Sequence, residues 1–266
     1  MTALPLTSTL LIGSRRSLRL VERNLYVYRH GWLVILSGFF EPLFYLLGIG
    51  FGIGMLVGTV VGPGGQEITY QQFVAPALLA TASMNGAINE STFNFFFKLN
   101  YDKTFVSILA TPLSSGDIAV GELIWALIRG GLYAVGFLVV MVVLGLAVSP
   151  WVVLAVPAAL LVGFAFGAAG MAATSFMKTW QDFDLIQLVV LPLFLFSATF
   201  YPIETYPEPI RTIVQLTPLY QGVDLIRSLA VGAISPVLLV HVAYLLIVGF
   251  IGLFVVSRRL DKLLLQ

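Results

Sequence analysis

The sequence predicts an all-α polytopic membrane protein, and three observations lead to that fold class. Hydrophobic residues make up 59% of the 266-residue chain, whereas charged residues make up only 10%. Several apolar blocks exceed the roughly 20 residues that a helix needs to cross a bilayer. Most basic residues lie outside these blocks. The whole chain is therefore expected to form a single membrane domain.

The amino-terminal segment, residues 4–29, is predicted to be an amphipathic helix. Apolar residues recur at helical spacing on one arc, and Arg15, Arg16, Arg19 and Arg23 lie on another. Such a helix lies in the headgroup region with its arginines toward anionic lipid. A solvated basic tail is the alternative interpretation.

Six membrane spans are predicted from the apolar blocks. Their expected bounds are 31–57, 71–97, 118–148, 151–176, 185–201 and 236–257. Six spans place both termini on one side of the membrane, and most of the 14 Lys and Arg residues fall on that side. Because cytoplasmic segments are enriched in Lys and Arg, both termini are predicted to be cytoplasmic.

A polar island, residues 100–116, separates the second and third spans on the predicted cytoplasmic side. Thr111–Pro112 stops a short helix there, and Ser114 or Ser115 is suited to be the N-cap of the third span. A short helix held at the membrane surface between two spans is well placed to be pushed by a cytosolic partner.

Three ionisable residues lie inside predicted spans: Glu41, Glu90 and Arg129. Each is on the order of 12–17 Å deep at 1.5 Å per residue. Isolated charges at such depth cost at least ~2.5 kcal/mol, and pairing is the usual remedy. Arg129 is therefore predicted to pair with Glu41 or Glu90, either as a packing clamp or as part of a transport path.

Residues 202–232 are too apolar for a plain loop and too short in each part to span a bilayer. Thr217–Pro218 interrupts the segment, so two short helices forming a re-entrant hairpin on the outer side are predicted. Glu208–Arg211 and Asp224–Arg227 are expected to form ion pairs on a polar outer face. The expected apolar underside, resting on Phe200–Tyr201, is formed by Ile213, Leu216, Leu219, Val223 and Ile226. A static extracellular cap is the alternative to a gate.

Catalysis by this chain is not supported. The sequence contains no G-x-x-x-x-G-K-[ST] phosphate loop and no cysteine, and its two histidines, His30 and His241, stand apart. His241 is interpreted as a hydrogen-bonded residue between helices. No catalytic residue, metal ligand or resident cofactor is predicted.

The chain resembles the membrane-spanning permease subunit of type-2 ATP-binding-cassette (ABC) exporters, closest to the Nod-factor-export and daunorubicin-resistance-like branch. The resemblance rests on FFEPLFYLLGIGFGIG in the first span, on TPLSSGDIAVGE, and on FSATFYPIETYPEPIRTIVQLTPLYQGVDLIRSLAVG. It implies a multi-pass protein of the bacterial inner membrane that pairs with a second copy or a paralogue. Two copies of a separate ATPase subunit would hold ATP and Mg, and no nucleic acid would be involved. The substrate would be an amphipathic drug, lipid or glycan moved outward.

The resemblance also assigns roles to residues. The implied ATPase-coupling residues are Lys98, Tyr101, Asp102, Lys103, Thr104, Thr111, Pro112 and Leu113. The implied external gate is formed by Phe200, Tyr201, Leu216, Pro218 and Leu219. An ion-coupled secondary transporter and a non-transport membrane scaffold remain as alternatives, and co-purification with an ATPase that this chain stimulates would separate the three.

Overall fold

The computed structural model describes residues 6–28 and 40–264, and these form a bundle of helices. The predicted amphipathic helix and the predicted first span each lie partly outside the described residues. The helices are α1 Leu6–Tyr28, α2 Phe40–Val57, α3 Tyr70–Asn89, α4 Phe95–Asn100, α5 Thr104–Leu109, α6 Ser115–Val143, α7 Ala155–Thr174, α8 Phe183–Phe196, α9 Glu208–Gln215, α10 Pro218–Val231 and α11 Val237–Leu264.

Short irregular helices connect or interrupt these elements. The central part of α2, Leu46–Ile53, is π-helical, and a π-helical turn at Glu90–Asn94 joins α3 to α4 without a break. Single 3₁₀ turns, Pro150–Leu154 and Trp180–Asp182, precede α7 and α8.

The predominantly α fold class is confirmed, with one small sheet added to it. Strands β1 Thr59–Val61 and β2 Glu67–Thr69 pair antiparallel, with Val60 opposite Ile68. The turn between them contains Gly64 at φ 78°, a conformation that glycine adopts without steric cost. Strands of three residues are too short to show a period in the sequence.

Within residues 6–28 and 40–264, four helical segments are long and apolar enough, by length and composition, to cross a membrane: α2, α6, Pro150–Thr174 and α11. The predicted second span is helical from Tyr70 to Asn100 but carries many polar side chains. The predicted fifth span is helical only over α8, about 21 Å for its 14 residues, compared with a hydrocarbon core of ~30 Å. The count of six spans therefore stays a prediction.

The main core surrounds α3, which contacts α6, α7 and α10. Val74, Leu78 and Met84 are 0–1% exposed at its centre. The closest helix contact joins α11 to α7, since a Cβ added at Gly252 would lie 2.7 Å from the backbone carbon of Ala168. A second core cluster lies at the polar-island end of the bundle, where α1, α4, α5, α6 and the end of α11 meet.

At the opposite end, α9 and α10 are two short helices that meet at Leu216–Thr217. The Thr217 side chain accepts a hydrogen bond from Tyr220 N and caps α10 just before Pro218. The two helices differ in burial: α9 buries only Val214, whereas α10 contributes Leu219, Val223 and Ile226 to the main core. The expected common underside is therefore wrong for Ile213 and Leu216, which are 66% and 64% exposed.

Candidate functional site

The polar island forms a compact corner at one end of the bundle. The chain reverses at Lys103, whose φ of 49° is left-handed, and then enters α5. Phe105 and Ile108 turn inward, and the rings of Phe105 and Phe95 lie 5.0 Å apart. The outer side of the corner exposes Tyr101 and Val106, at 58% and 54%. Apolar contacts thus anchor this corner to the bundle, and its outer side exposes both an aromatic and an aliphatic side chain.

The exit from the corner is held by side-chain hydrogen bonds. Thr111 Oγ1 donates to Ile108 O at 2.6 Å, and Arg16 of α1 donates to Pro112 O at 3.0 Å. Ser114 is the N-cap of α6, since its Oγ accepts from Asp117 N while the Asp117 carboxylate accepts from Ser114 N. Of the two serines that were candidates for this cap, Ser114 is confirmed.

A groove of about 340 Å³ runs between α1 and the corner. Arg19 and Arg23 of α1 line one side, and Asp102 and Ser107 line the other. Of the residues assigned to coupling, Tyr101, Asp102, Lys103, Thr111 and Pro112 are exposed, while Thr104 and Leu113 are partly buried. Charges of both signs therefore reach this surface.

Lys98 lies away from that surface, which corrects its predicted placement. Its Nζ is 2.6 Å from Glu122 Oε2 of α6, and their side chains are 13% and 3% exposed. Asn24 of α1 donates to the same carboxylate at 3.4 Å and accepts from Lys98. We call these three residues the α1 clamp. The α1 clamp pairs the buried Glu122 carboxylate and also fastens α1 to the bundle. The sequence did not predict this contact, because nothing distinguishes Asn24 from the surface residues of α1.

The second buried ion pair joins α6 to the π-helical turn after α3. Arg129 Nη1 lies 2.6 Å from Glu90 Oε2, and their side chains are 13% and 1% exposed. Arg129 Nε donates to Tyr133 OH at 3.0 Å, and Asn94 donates to Glu90 at 2.7 Å. Tyr28, at the end of α1, places its ring 5.9 Å from the Arg129 guanidinium carbon. Of the two carboxylates considered for Arg129, the structure brings Glu90 to it.

Glu41 lies on the rim of a polar cleft beside this pair. The cleft comprises two adjoining cavities of about 170 and 310 Å³, both lined by Glu41, Tyr45, Asn85, Asn89 and Phe194. Arg129 and Tyr133 form part of the wall of the first cavity, and Gln187 of α8 is part of the second. Glu41 is exposed and forms no ion pair with any described residue. The cleft thus combines amide, carboxylate, guanidinium and aromatic groups within the helical bundle.

Arg227 is buried at the opposite end, so the predicted Asp224–Arg227 ion pair is wrong. Its Nε and Nη2 donate to Phe73 O at 2.9 Å and Ala198 O at 2.7 Å, and its guanidinium lies 3.7 Å from the Phe73 ring centroid. Arg227 therefore holds α10 to α3 and to the bend after α8. The other expected pair is present, with Arg211 Nη1 3.0 Å from Glu208 Oε1.

Asp224 faces His241 of α11 instead of Arg227. The Nε2 atom of His241 lies 3.0 Å from Asp224 Oδ2, and Nδ1 contacts Gln221. The interpretation of His241 as a residue bonded between helices is confirmed. Position along the sequence gave no indication of these partners, which both lie on α10.

The residues assigned to an external gate differ in accessibility. Leu216 is exposed, Phe200, Tyr201 and Pro218 are partly buried, and Leu219 is fully buried in the main core. Leu219 is therefore misplaced in a surface gate. Within residues 6–28 and 40–264, no group of three or more His, Cys, Asp or Glu side chains is arranged to hold a metal ion.

Comparison with protein-family models matches residues 17–231 to the ABC-2 type transporter family. The match covers the α1 clamp, the polar island, the Glu90–Arg129 pair and both helices of the hairpin segment.

Curated relatives match over most of the chain. A nodulation protein J from Rhizobium leguminosarum bv. trifolii is 32% identical over 258 residues, covering 96% of each chain. The nodulation protein J of Rhizobium leguminosarum bv. viciae is 30% identical over 263 residues, 97% of this chain and 99% of the relative. That of Rhizobium meliloti (strain 1021) is 32% identical over 237 residues, 85% and 86% of the two chains.

Proposed function

This chain belongs to the ABC-2 type transporter family and is a membrane subunit of an ABC exporter, and we propose that a separate ATPase subunit, in two copies, energises it to move an amphipathic substrate outward. We also propose that the working unit contains a second copy of this chain or a paralogue, in a bacterial inner membrane with both termini in the cytoplasm. The ATP and Mg would be held by the ATPase, since this chain has no phosphate-loop motif.

The observation that carries the proposal is the arrangement of α1. Along one helix, Arg19 lines the groove at the polar island, Asn24 joins the α1 clamp, and Tyr28 lies beside Arg129. If a docked ATPase displaced the part of α1 that lines the groove, this one helix would transmit the movement to both buried ion pairs. This geometry supports the polar island as the ATPase dock and the polar cleft as part of the substrate path.

The mixed lining of the cleft supports an amphipathic substrate. Asn85, Asn89 and Gln187 offer hydrogen-bond donors and acceptors to a polar group, and Tyr45 and Phe194 offer apolar surface. The rings of Tyr45 and Phe194 are 5.3 Å apart, and they line the same cavity as the amide side chains. The nodulation protein J relatives place the chain in the branch that its sequence resembles, and a glycan or glycolipid is one of the substrates that this branch implies.

The proposal is tested by isolating the tagged chain from its native host and identifying what co-purifies. We expect a stoichiometric ATPase with a phosphate-loop motif, whose hydrolysis rises when the chain is present in vesicles. An ion-coupled transporter would instead move substrate in vesicles with an ion gradient and no ATPase. A chain that binds no ATPase and transports under an ion gradient would contradict the proposal.

A further inference from the structure

An apolar groove separates α8 from α7, and it shares Ile88 and Val190 with the wall of the second cavity of the polar cleft. It measures about 710 Å³, within the range of about 300–1,000 Å³ typical of ligand pockets. Helix α8 contacts the Trp180–Asp182 turn at one end and α10 at the other, and the groove lies between these contacts. Its walls are apolar over nearly their whole length, including Phe166, Ala173, Ile186 and Val190.

The length of the groove matches one leaflet of a bilayer. Its lining runs along α8 from Asp182 to Leu193, about 17 Å of helix. Half of a hydrocarbon core of ~30 Å is about 15 Å. A void of this size lined by apolar atoms loses dispersion contacts if it is empty, and water in it would find few polar partners. The groove therefore suits an apolar occupant about one leaflet long.

Two cations, Lys178 and Arg259, and one carboxylate, Asp182, lie at or beside the mouth of the groove. Lys178 is exposed there and forms no ion pair with any described residue. The nearby carboxylate of Asp182 is occupied, because its Oδ2 accepts from Lys178 N at 2.8 Å and from Thr179 N at 3.1 Å. These backbone donors hold the pKa of Asp182 below its usual value, so it stays ionised within its own turn. The exposed Lys178 also contributes to this lowering through its charge, and it is not held in a direct ion pair with Asp182.

Two more features identify the mouth as a membrane–water boundary. The Arg259 guanidinium lies 4.7 Å from the Phe176 ring centroid, next to the mouth, and donates to Ser175 O at 3.4 Å. Trp180 is 60% exposed in the adjoining turn. Trp and basic residues gather at headgroup level, and basic pockets between helices on the cytoplasmic side bind anionic headgroups.

We propose that the groove between α7 and α8 binds one acyl chain of an anionic bilayer phospholipid, with its phosphate at Lys178 and Arg259. The two parts of the groove match the two parts of a phospholipid. The cations at the mouth would bind the phosphate, and the apolar channel would bind the acyl chain. The bound lipid completes the packing of α8 against the bundle, so the position of α8 depends on the lipid around it. The groove adjoins the polar cleft, since Ile88 and Val190 line both, but Lys178 and Arg259 do not line the cleft. The proposal does not rest on the proposed substrate path.

The test uses the full chain in nanodiscs of phosphatidylglycerol and phosphatidylcholine, followed by native mass spectrometry of the lipids retained after release. Ala173→Phe fills the groove from an exposed position on its wall, and Val240→Phe adds the same ring at an exposed position of α11 that does not line it. We expect one retained phosphatidylglycerol per chain in the wild type and in Val240→Phe, and at least a tenfold loss in Ala173→Phe. Equal melting temperatures of the two variants exclude unfolding as the cause.

Headgroup recognition is tested with Lys178→Glu against Lys262→Glu, an exposed lysine at the end of α11. A juxtamembrane lysine contributes about 1 kcal/mol toward anionic lipid, so at least a fivefold loss of phosphatidylglycerol is expected for Lys178→Glu alone. Unchanged retention in Ala173→Phe or in Lys178→Glu would overturn the proposal. So would efficient disulfide formation between two copies carrying Ala173→Cys, which would show that a second chain covers the groove.

Discussion

The two buried ion pairs of this protein have nearly the same geometry but different surroundings. Lys98–Glu122 and Arg129–Glu90 each join at 2.6 Å, with the cation 13% exposed and the carboxylate 3% or 1% exposed. The first is closed by Asn24 of α1, whereas Arg129 also lines the polar cleft. Contact distance and burial therefore do not distinguish the roles of the two pairs, whereas the neighbouring groups do. Asn24 indicates that Lys98–Glu122 fastens α1 to the bundle, and the cleft lining indicates that Arg129–Glu90 forms part of a cavity wall.

The largest effect is expected from Arg129→Met, which leaves Glu90 as an unpaired buried charge. Removing one partner of a buried pair costs about 3–5 kcal/mol, so a marked fall in melting temperature is expected. Glu90→Gln in the same chain should restore part of it, because the stranded charge is then gone. Thermal melts of the two single variants and the double variant measure the coupling. Glu41→Gln serves as the control, since Glu41 has no ion-pair partner in the described chain, and strictly additive single effects would contradict the pairing.

Lys98→Met should destabilise the protein by about 3 kcal/mol for the same reason. The expected difference from Arg129→Met lies in α1, which loses its fastening. A cysteine placed at Leu20, a position 2% exposed in this cysteine-free chain, should become open to a thiol reagent when Lys98 is replaced. The same cysteine should stay protected in Arg129→Met. Equal labelling of this cysteine in Lys98→Met and Arg129→Met would show that the two ion pairs do not differ in how they hold α1.

Gly121→Val tests the seat of α1 without changing any charge. A Cβ at Gly121 would lie 2.9 Å from Leu20 Cβ and 3.0 Å from Ser17 O, and both atoms remain when Leu20 is replaced by Cys, so a side chain there must push α1 away. Overpacking of this kind costs about 1–3 kcal/mol. We expect the Leu20 cysteine to become labelled as in Lys98→Met. Gly131→Val on the same helix is the matched control, because a Cβ there approaches only the flexible side chain of Leu160. If the cysteine at position 20 stayed protected from the thiol reagent in both variants, the prediction would be contradicted.

The smallest effect on stability is expected from exchanging the charges of Asp102 and Lys103. Both are exposed at the polar island, so the free energy of unfolding should change by no more than about 0.5 kcal/mol. If the island is the ATPase dock, this double variant should nevertheless lose stimulated ATP hydrolysis and export. The comparison with Lys98→Met then separates loss of a contact surface from loss of the α1 fastening. Normal export by a stably inserted double variant would contradict docking at these residues.

Features that depend on neighbouring residues could be predicted from the sequence. The apolar blocks indicated a helical membrane protein, Ser114 with Asp117 three residues later indicated a helix start, and Thr217–Pro218 indicated the break between two short helices. The Glu208–Arg211 pair was also predictable, because residues three apart share one face of a helix. In each case the local backbone alone determines which groups meet.

Features that depend on how helices rotate and pack could not be predicted in this way. Glu41 and Glu90 have similar depths in the sequence, and only the packing of α3 against α6 brings Glu90 to Arg129. Arg227 was expected to pair with Asp224 one turn away, but burial of α10 directs it to the carbonyls of Phe73 and Ala198.

The sequence by itself determined the all-α membrane class, the family resemblance and the helix boundaries set by caps and prolines, because these follow from composition and short-range bonding. The tertiary structure alone decided which carboxylate meets which cation. It also decided that Lys98 pairs with Glu122 inside the bundle. The physical reason is that a buried charge takes the partner that its helix face reaches, and the rotation of a helix about its axis is set by contacts with other helices.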